Sequence, residues 1–273
     1  MSKIDRLGWT AGLAFTAYGV RVGVRVNDVA VLENLIDFLP PTWKRSTVTT
    51  VEKLYSLLVG GETKRSGVRR FSLAYADAKR IGRSVDLDEV FDAFESDLHL
   101  HVAEMAPRRV FVHAGVVGWR GQAILIPGRS FSGKTSLVAE LVKAGATYYS
   151  DEYAVLDSNG KVHPFSRPLA IREGDGPRQT RYRIEELGGA AGHKPLPVGL
   201  VVVSQYKQGG RWRPRRLSAG QGALSLLDNT VSIRRQPGFA FDVVQPLASH
   251  AEFLKSDRGE AGEVVKYILE RAS

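Results

Sequence analysis

Hydrophobic residues recur along this chain with two different periods, and the changes of period mark out its elements. Val20 to Val26 alternates apolar residues with arginine or glycine, the period of two of a half-exposed strand with its arginines on the wet face. Asn27 or Asp28 then caps a helix on which Leu32, Leu35, Ile36 and Leu39 form one stripe, and Pro40-Pro41 stops it. A weak alternation from Val48 to Leu58 predicts another strand, and Gly60-Gly61-Glu62-Thr63 a turn. Leu87, Val90, Phe91, Phe94 and Leu98 mark a long helix ended by Pro107. His99 and His101 on that helix are about 200° apart, so they cannot share a metal as an i, i+4 pair would, and they read as surface or interface histidines. Residues 1–105 thus form a small α+β region without recognisable chemistry, a candidate for substrate recruitment.

From Val110 the pattern changes. Val110 to Gly118 is strand-like, Trp119-Arg120-Gly121-Gln122 reads as a turn, and Ala123-Ile124-Leu125-Ile126 is a continuous apolar run, the mark of a buried strand. That run ends in Gly128-Arg129-Ser130-Phe131-Ser132-Gly133-Lys134-Thr135, which fits G-x-x-x-x-G-K-[ST] at every fixed position. Glycines let the backbone N–H groups approach phosphate oxygens, and a following helix aims its positive end at the same charge. Lys134 is placed for the outer phosphates, the Thr135 hydroxyl for Mg²⁺, and Ser136 completes the binding segment. The pattern alone arises by chance in roughly one chain in a hundred of this length. Its context is what counts: Leu137, Val138, Leu141 and Val142 follow at helical spacing until Gly145, giving strand, glycine loop and helix in the required order.

Beyond that helix, Thr147 to Asp157 reads as a strand interrupted by the acids Asp151 and Glu152, with a turn at Ser158-Asn159-Gly160. Side chains of successive strand residues diverge, so one acid can face a metal and the other an acceptor hydroxyl, provided this strand neighbours the loop strand. Leu200 to Val203 is a further buried strand, Arg211 to Arg216 an edge strand, and Leu224 to Val231 a helix with Arg234-Arg235 after it. The closing helix, Gly262 to Arg271, turns Val264, Val265, Ile268 and Leu269 inward.

Composition narrows the partners. The 273 residues are 43% hydrophobic, enough for one large core or two modest ones, and two parts fit the change of pattern better. Lys and Arg outnumber Asp and Glu by 38 to 29, a net charge of +9 that favours an acidic partner, of which the nucleotide itself is the first candidate. The basic residues are scattered, without a run that regularly interleaves aromatics, so nucleic acid is not expected. The absence of cysteine excludes disulfides, thiolate zinc sites and cysteine nucleophiles. Met1 to Arg6 has no apolar signal-peptide core and no apolar run approaches 18 residues, so the expectation is a soluble cytoplasmic protein with no membrane partner.

The run from Val112 to Asp151 carries a resemblance. Its His-Ala-Gly-Val-Val strand, glycine loop, helix and Tyr-Tyr-Ser-Asp-Glu segment resemble the catalytic domain of HPr serine kinase/phosphorylase, and still more its HPr-kinase-related relatives, which include kinases of lasso-peptide precursors. The likeness covers about residues 105–175 well and extends over 195–273, so residues 106–273 would form the catalytic domain. It implies a P-loop kinase fold of the HPr kinase and phosphoenolpyruvate carboxykinase type, α/β with a mixed sheet, and is compatible with a homo-oligomer. By resemblance, Asp151 matches the base on an acceptor serine, His113 the histidine that supports it, and Lys134 with the loop amides the phosphate cradle. Thr135 matches a metal ligand, and Glu152 stands where a second aspartate near the metal is expected. The family's Glu-x-Arg-Gly signature is not kept: Phe165-Ser166-Arg167-Pro168 retains the arginine but has Phe165 in place of glutamate, so a reverse phosphorylase reaction on HPr is not expected.

The function expected is therefore an ATP- and Mg²⁺-dependent kinase acting on a serine, or another hydroxyl, of a protein or peptide. The rivals are a nucleotide-responsive binding protein that has lost catalysis, and a P-loop ATPase. The second is disfavoured by Ser204, which ends the Leu200 strand where a Walker-B acid would stand.

Overall fold

The computed structural model describes residues 3–60, 70–129, 132–172 and 179–272, and its contacts divide the chain into residues 1–107 and 108–273. Both units are mixed α/β. Of the predicted turn at Gly60 to Thr63, residues 61–63 lie outside the described residues, as do Ser130 and Phe131 of the glycine loop.

The first unit contains β1 (Ala11–Ala17), β2 (Val20–Val26), α1 (Val29–Leu35), β3 (Lys44–Arg45), β4 (Lys53–Leu58), β5 (Ser72–Ala76), β6 (Lys79–Ser84) and α2 (Leu87–Met105). Its sheet runs β3-β1-β2-β4-β5-β6, antiparallel except where β2 and β4 pair in parallel. The predicted alternation holds in β2: Val20, Val22, Val24 and Val26 are buried and Arg21 is exposed. Asp28 caps α1 by accepting from the Ala30 N–H at 3.0 Å. The stripe predicted for α1 does not hold throughout. The helix tightens into a 3₁₀ turn at Ile36–Phe38, where each residue advances about 120° instead of 100°, and Ile36 is carried out to 41% exposure while Leu35 and Leu39 stay buried. The weak alternation from Val48 becomes strand only at Lys53. In α2, Val90, Phe91, Phe94 and Leu98 pack inward as expected, but so does His99, whose Nε2 meets the Phe38 carbonyl at 3.2 Å. His99 is thus a core residue, its ring satisfied by a backbone carbonyl, and not a surface histidine.

The second unit contains β7 (Val110–Trp119), β8 (Gln122–Pro127), α3 (Lys134–Lys143), β9 (Thr147–Ser150), β10 (Tyr153–Leu156), β11 (Lys161–His163), β12 (Leu169–Arg172), β13 (Gln179–Tyr182), β14 (Leu196–Tyr206), β15 (Arg215–Arg216), α4 (Ala219–Leu227), α5 (Pro237–His250), β16 (Glu252–Arg258) and α6 (Gly262–Arg271). The main sheet runs β11-β10-β7-β8-β14-β16-β15, with β9 also on β7; β12 and β13 form a separate pair. Within it β8, β14 and β16 are parallel, whereas β7 is antiparallel to β8. The hairpin before the glycine loop turns at Arg120 and Gly121, both with positive φ.

The strands of the loop hairpin are apolar on both sides because both faces of the sheet are covered. Ile124 and Ile126 pack with Leu137, Val138 and Leu141 of α3 and with Val264 and Ile268 of α6. Ala123 and Leu125 pack with Leu226 of α4 and Val243, Val244 and Leu247 of α5. The pattern predicts neither α5 nor β16: Pro237, Gly238 and an internal Pro246 break the helical period, and β16 carries Lys255, Asp257 and Arg258 among its apolar residues. The predicted edge strand shrinks to the two residues of β15, and the predicted helix at Leu224 to Val231 starts earlier, capped by Ser218, and ends at Leu227. Among the described residues no helix is long and apolar enough to cross a membrane.

Candidate nucleotide site

The glycine loop leaves the carboxyl end of β8 and runs into α3. Its first residue is tied down by the Gly128 N–H donating to the His113 carbonyl at 3.1 Å. A Cβ at Gly128 would sit 2.6 Å from Ser132 Oγ and 3.2 Å from Ser132 Cβ, so a side chain there would push Ser132 aside. Gly133 is the N-cap of α3 with φ +84°, a left-handed conformation that glycine takes without strain. Ser132 is buried, and its hydroxyl has no hydrogen-bond partner among the described residues. An orphaned hydroxyl inside a loop at a helix N-terminus fits a site that completes its bonds with an anion.

Lys134 Nζ donates to the Arg129 carbonyl at 2.9 Å, closing the loop on itself. Burial lowers its pKa, against the raising effect of Asp151 and then Glu152. Thr135 Oγ1 donates to Asp151 Oδ2 at 3.4 Å. Ser136, the next residue, is exposed in the first turn of α3.

The sequence argument placed the acids near the loop by making their strand a neighbour of β8. The structure does otherwise. β9 and β10 both pair with β7, which lies between them and β8, and the chain bends between them at Asp151 and Glu152. The bend, not strand adjacency, turns Asp151 toward Thr135, and α3 comes close enough because β7 has Gly115 where a Cβ would meet Val138 Cγ2 at 2.5 Å.

Asp151 is held on both sides. Its Oδ2 takes the Thr135 hydroxyl, and its Oδ1 takes the hydroxyl of Tyr148 at 3.1 Å. Burial, and then the charge of Glu152, push the Asp151 carboxyl up to about 6 from 3.8, against the pull of its hydrogen bonds from Tyr148 and Thr135. The same tyrosine hydroxyl lies 2.9 Å from the Arg167 carbonyl, so its single hydrogen is shared between two acceptors. Tyr148 is a functional candidate that the pattern did not yield, because a buried strand tyrosine carries no local signal.

His113 lies within β7 beside the bend, opposite Tyr153, with the two rings tilted by 34° and 4.9 Å between centroids. Burial lowers its pKa, and Lys134 adds to this against the opposing charge of Glu152, so the ring is neutral near pH 7. Its electrostatic partners are Glu152 and Lys134, and it makes no hydrogen bond to Asp151. Phe165, standing where the resemblance calls for glutamate, is a core residue packed edge-on against Phe111 and Tyr153. Arg234 and Arg235 are exposed at the end of a 3₁₀ turn.

A hard cation such as Mg²⁺ takes oxygen ligands, keeps several waters and is satisfied by one or two carboxylates plus phosphate oxygens. Thr135 and Asp151 are oxygen donors of that kind, brought together by their 3.4 Å hydrogen bond. No group of three or more potential metal-ligating side chains occurs among the described residues.

The other residue that local pattern did not reveal is Arg258, at the end of β16. Its Nη2 donates to the Gly133 carbonyl at 2.6 Å, across 125 residues of sequence. Comparison with known proteins finds no protein-family match and no curated protein that matches this chain.

Proposed function

We propose that the chain is a kinase that uses Mg-ATP to phosphorylate a serine, or another hydroxyl, of a protein or peptide. The observation that carries this reading is the Thr135 hydroxyl 3.4 Å from Asp151 Oδ2 at the mouth of a glycine loop. That pairing of loop hydroxyl and strand-end acid is what a P-loop enzyme needs to hold its metal. The resemblance to HPr-kinase-related proteins supports the same fold type and reaction.

In this reading the loop N–H groups and Lys134 bind the phosphates, Lys134 exchanging the Arg129 carbonyl for a phosphate oxygen. Bound Mg²⁺, held by Thr135 and the acid pair, supplies charge neutralisation on the phosphate oxygens. Asp151 takes the proton of the acceptor hydroxyl as its oxygen bonds to the γ-phosphorus and the bond to the β-phosphate oxygen breaks. The contact with Thr135, and the coupling of His113 to Glu152, favour a second division of labour in which Asp151 serves the metal and Glu152 the proton. Asp151→Asn and Glu152→Gln separate the two, because loss of the metal acid raises the Mg²⁺ concentration needed for half-maximal rate, whereas loss of the base lowers the rate at saturating Mg²⁺.

The deciding experiment offers labelled Mg-ATP to an extract of the source cell with wild type, Lys134→Ala or Asp151→Asn, and identifies labelled species by mass spectrometry. A serine labelled by wild type alone is the expected result. ATP binding without any labelled product rejects the kinase and leaves a nucleotide-responsive binding protein; no ATP binding at all rejects both.

A further inference from the structure

Arg258 is the largest of the fully buried side chains, at 1% exposure, and it forms no ion pair among the described residues. Its partners are neutral. Nη1 donates to the Gly259 carbonyl at 2.9 Å, Nη2 to the Gly133 carbonyl at 2.6 Å, and Nε is buried without a partner. The Tyr206 ring centroid lies 5.9 Å from its guanidinium carbon. The glutamate nearest in sequence, Glu260, accepts from the Tyr206 hydroxyl at 3.2 Å and attracts Arg258 through space without forming an ion pair with it.

This placement follows from the three parallel strands. Tyr206 ends β14 and Arg258 ends β16 in the same register, and both ends reach the second half of the glycine loop that leaves β8. The Tyr206 N–H donates to the Ser132 carbonyl at 3.1 Å, and Lys207 N–H to the Arg258 carbonyl at 2.9 Å. Ser132 and Gly133 are thus gripped by the carboxyl ends of two neighbouring strands, the end of a parallel sheet where ligands bind.

A buried guanidinium that no carboxylate touches is costly, Glu260 offsetting only part of that cost from a distance, and the positive end of α3 beside it adds repulsion. An anion in the loop offsets both. The peptide plane links the two sides: the Gly133 carbonyl accepts both the Leu137 N–H at 3.2 Å, the first helical bond of α3, and Arg258 Nη2 at 2.6 Å, and because C=O and N–H point in opposite directions in a trans peptide, the carbonyl so held turns the Lys134 N–H the other way, into the loop. A cation on the carbonyl also polarises that N–H into a stronger donor.

We propose that Arg258 is a positioning residue of the phosphate site: it fixes the Gly133–Lys134 peptide from behind the loop, and its unpaired charge is balanced by the polyphosphate bound on the other side. The proposal rests on the nucleotide reading of the loop. It separates stability from affinity, since an apolar residue of similar volume in place of an unpaired buried charge leaves the ligand-free fold as stable or more so.

The test compares wild type, Arg258→Met, Arg258→Gln and Arg258→Lys by calorimetric titration with Mg-ATP and with inorganic pyrophosphate, and by thermal unfolding without ligand. The expected result is a Kd raised tenfold or more in R258M and R258Q for both probes, a smaller rise in R258K, and a ligand-free Tm in R258M no lower than that of wild type. Should R258M not fold, R258Q against R258K isolates the charge with a donor still facing the carbonyl. Wild-type affinity in R258Q overturns the proposal, and so does a parallel loss of Tm and affinity that is equal in all three variants, the behaviour of a structural strut. Failure of wild type itself to bind either probe overturns the nucleotide reading together with the proposal.

Discussion

Replacing Asp151 by asparagine should make the protein more stable while removing its function. Burial, and then Glu152, hold the carboxyl at about 6 in the fold against 3.8 for a free aspartate. A carboxyl whose folded pKa lies above its unfolded value stabilises the fold fully only below the unfolded value, and loses that stabilisation as the pH rises through the folded one. Above pH 6 the folded state must carry an anion that its surroundings disfavour. The gap from 3.8 to about 6, at about 1.36 kcal/mol per pH unit, corresponds to about 3 kcal/mol at pH 7.5. This is an upper bound, because Asp151 is only partly shielded from solvent. Asparagine keeps the shape and an oxygen for the Tyr148 hydroxyl, and it removes the charge. The assay is urea unfolding of wild type and Asp151→Asn with chelator present and no nucleotide, at pH 4 and pH 7.5. The variant should gain about 2–3 kcal/mol at pH 7.5, and the gain should shrink to about 0.5 kcal/mol at pH 4, with the slope in urea unchanged. A variant less stable than wild type at pH 7.5, or a difference that does not vary with pH, would refute the reasoning.

Two further outcomes follow from the geometry of the site. Tyr148→Phe removes a hydrogen bond that favours the ionised Asp151, so the carboxyl should rise further and the acid limb of the pH–rate profile of kcat/KM move up by about 1 pH unit; an unmoved limb removes Tyr148 from the site. Gly115→Ala drives a methyl into Val138, whose β-branched side chain cannot swing aside within α3, and should cost about 1–3 kcal/mol in chemical unfolding. Val138→Ala in the same chain should recover part of that loss, and additive effects would show that the two residues do not meet.

The sequence by itself determined whatever depends on neighbours in the chain. The apolar run Ala123 to Ile126, the glycines of the loop and the helical spacing of Leu137 to Val142 are local, and strand, loop and helix occur in that order with Thr135 at the helix start. Asp151 and Glu152 were legible as acids interrupting a strand, and His113 as a strand histidine ahead of the loop, though what turns the acids toward the loop was not. That is decided by β7 lying between the acid strand and β8, by the bend at Asp151 and by the absence of a side chain at Gly115, each of which acts across strands. The helical period likewise misplaced Ile36 where the turn tightens to 3₁₀, and left His99 as a surface or interface residue because nothing local shows that the Phe38 carbonyl will cover it.

Tyr148 and Arg258 were out of reach for the same physical reason. A buried tyrosine and a strand-end arginine look alike wherever they occur, and they acquire a role only when the fold brings them to a carboxylate or a carbonyl. For Arg258 that carbonyl is 125 residues away, and the parallel register of β8, β14 and β16 sets the meeting. The local pattern therefore determined the glycine loop, and the tertiary structure alone decided what stands behind it.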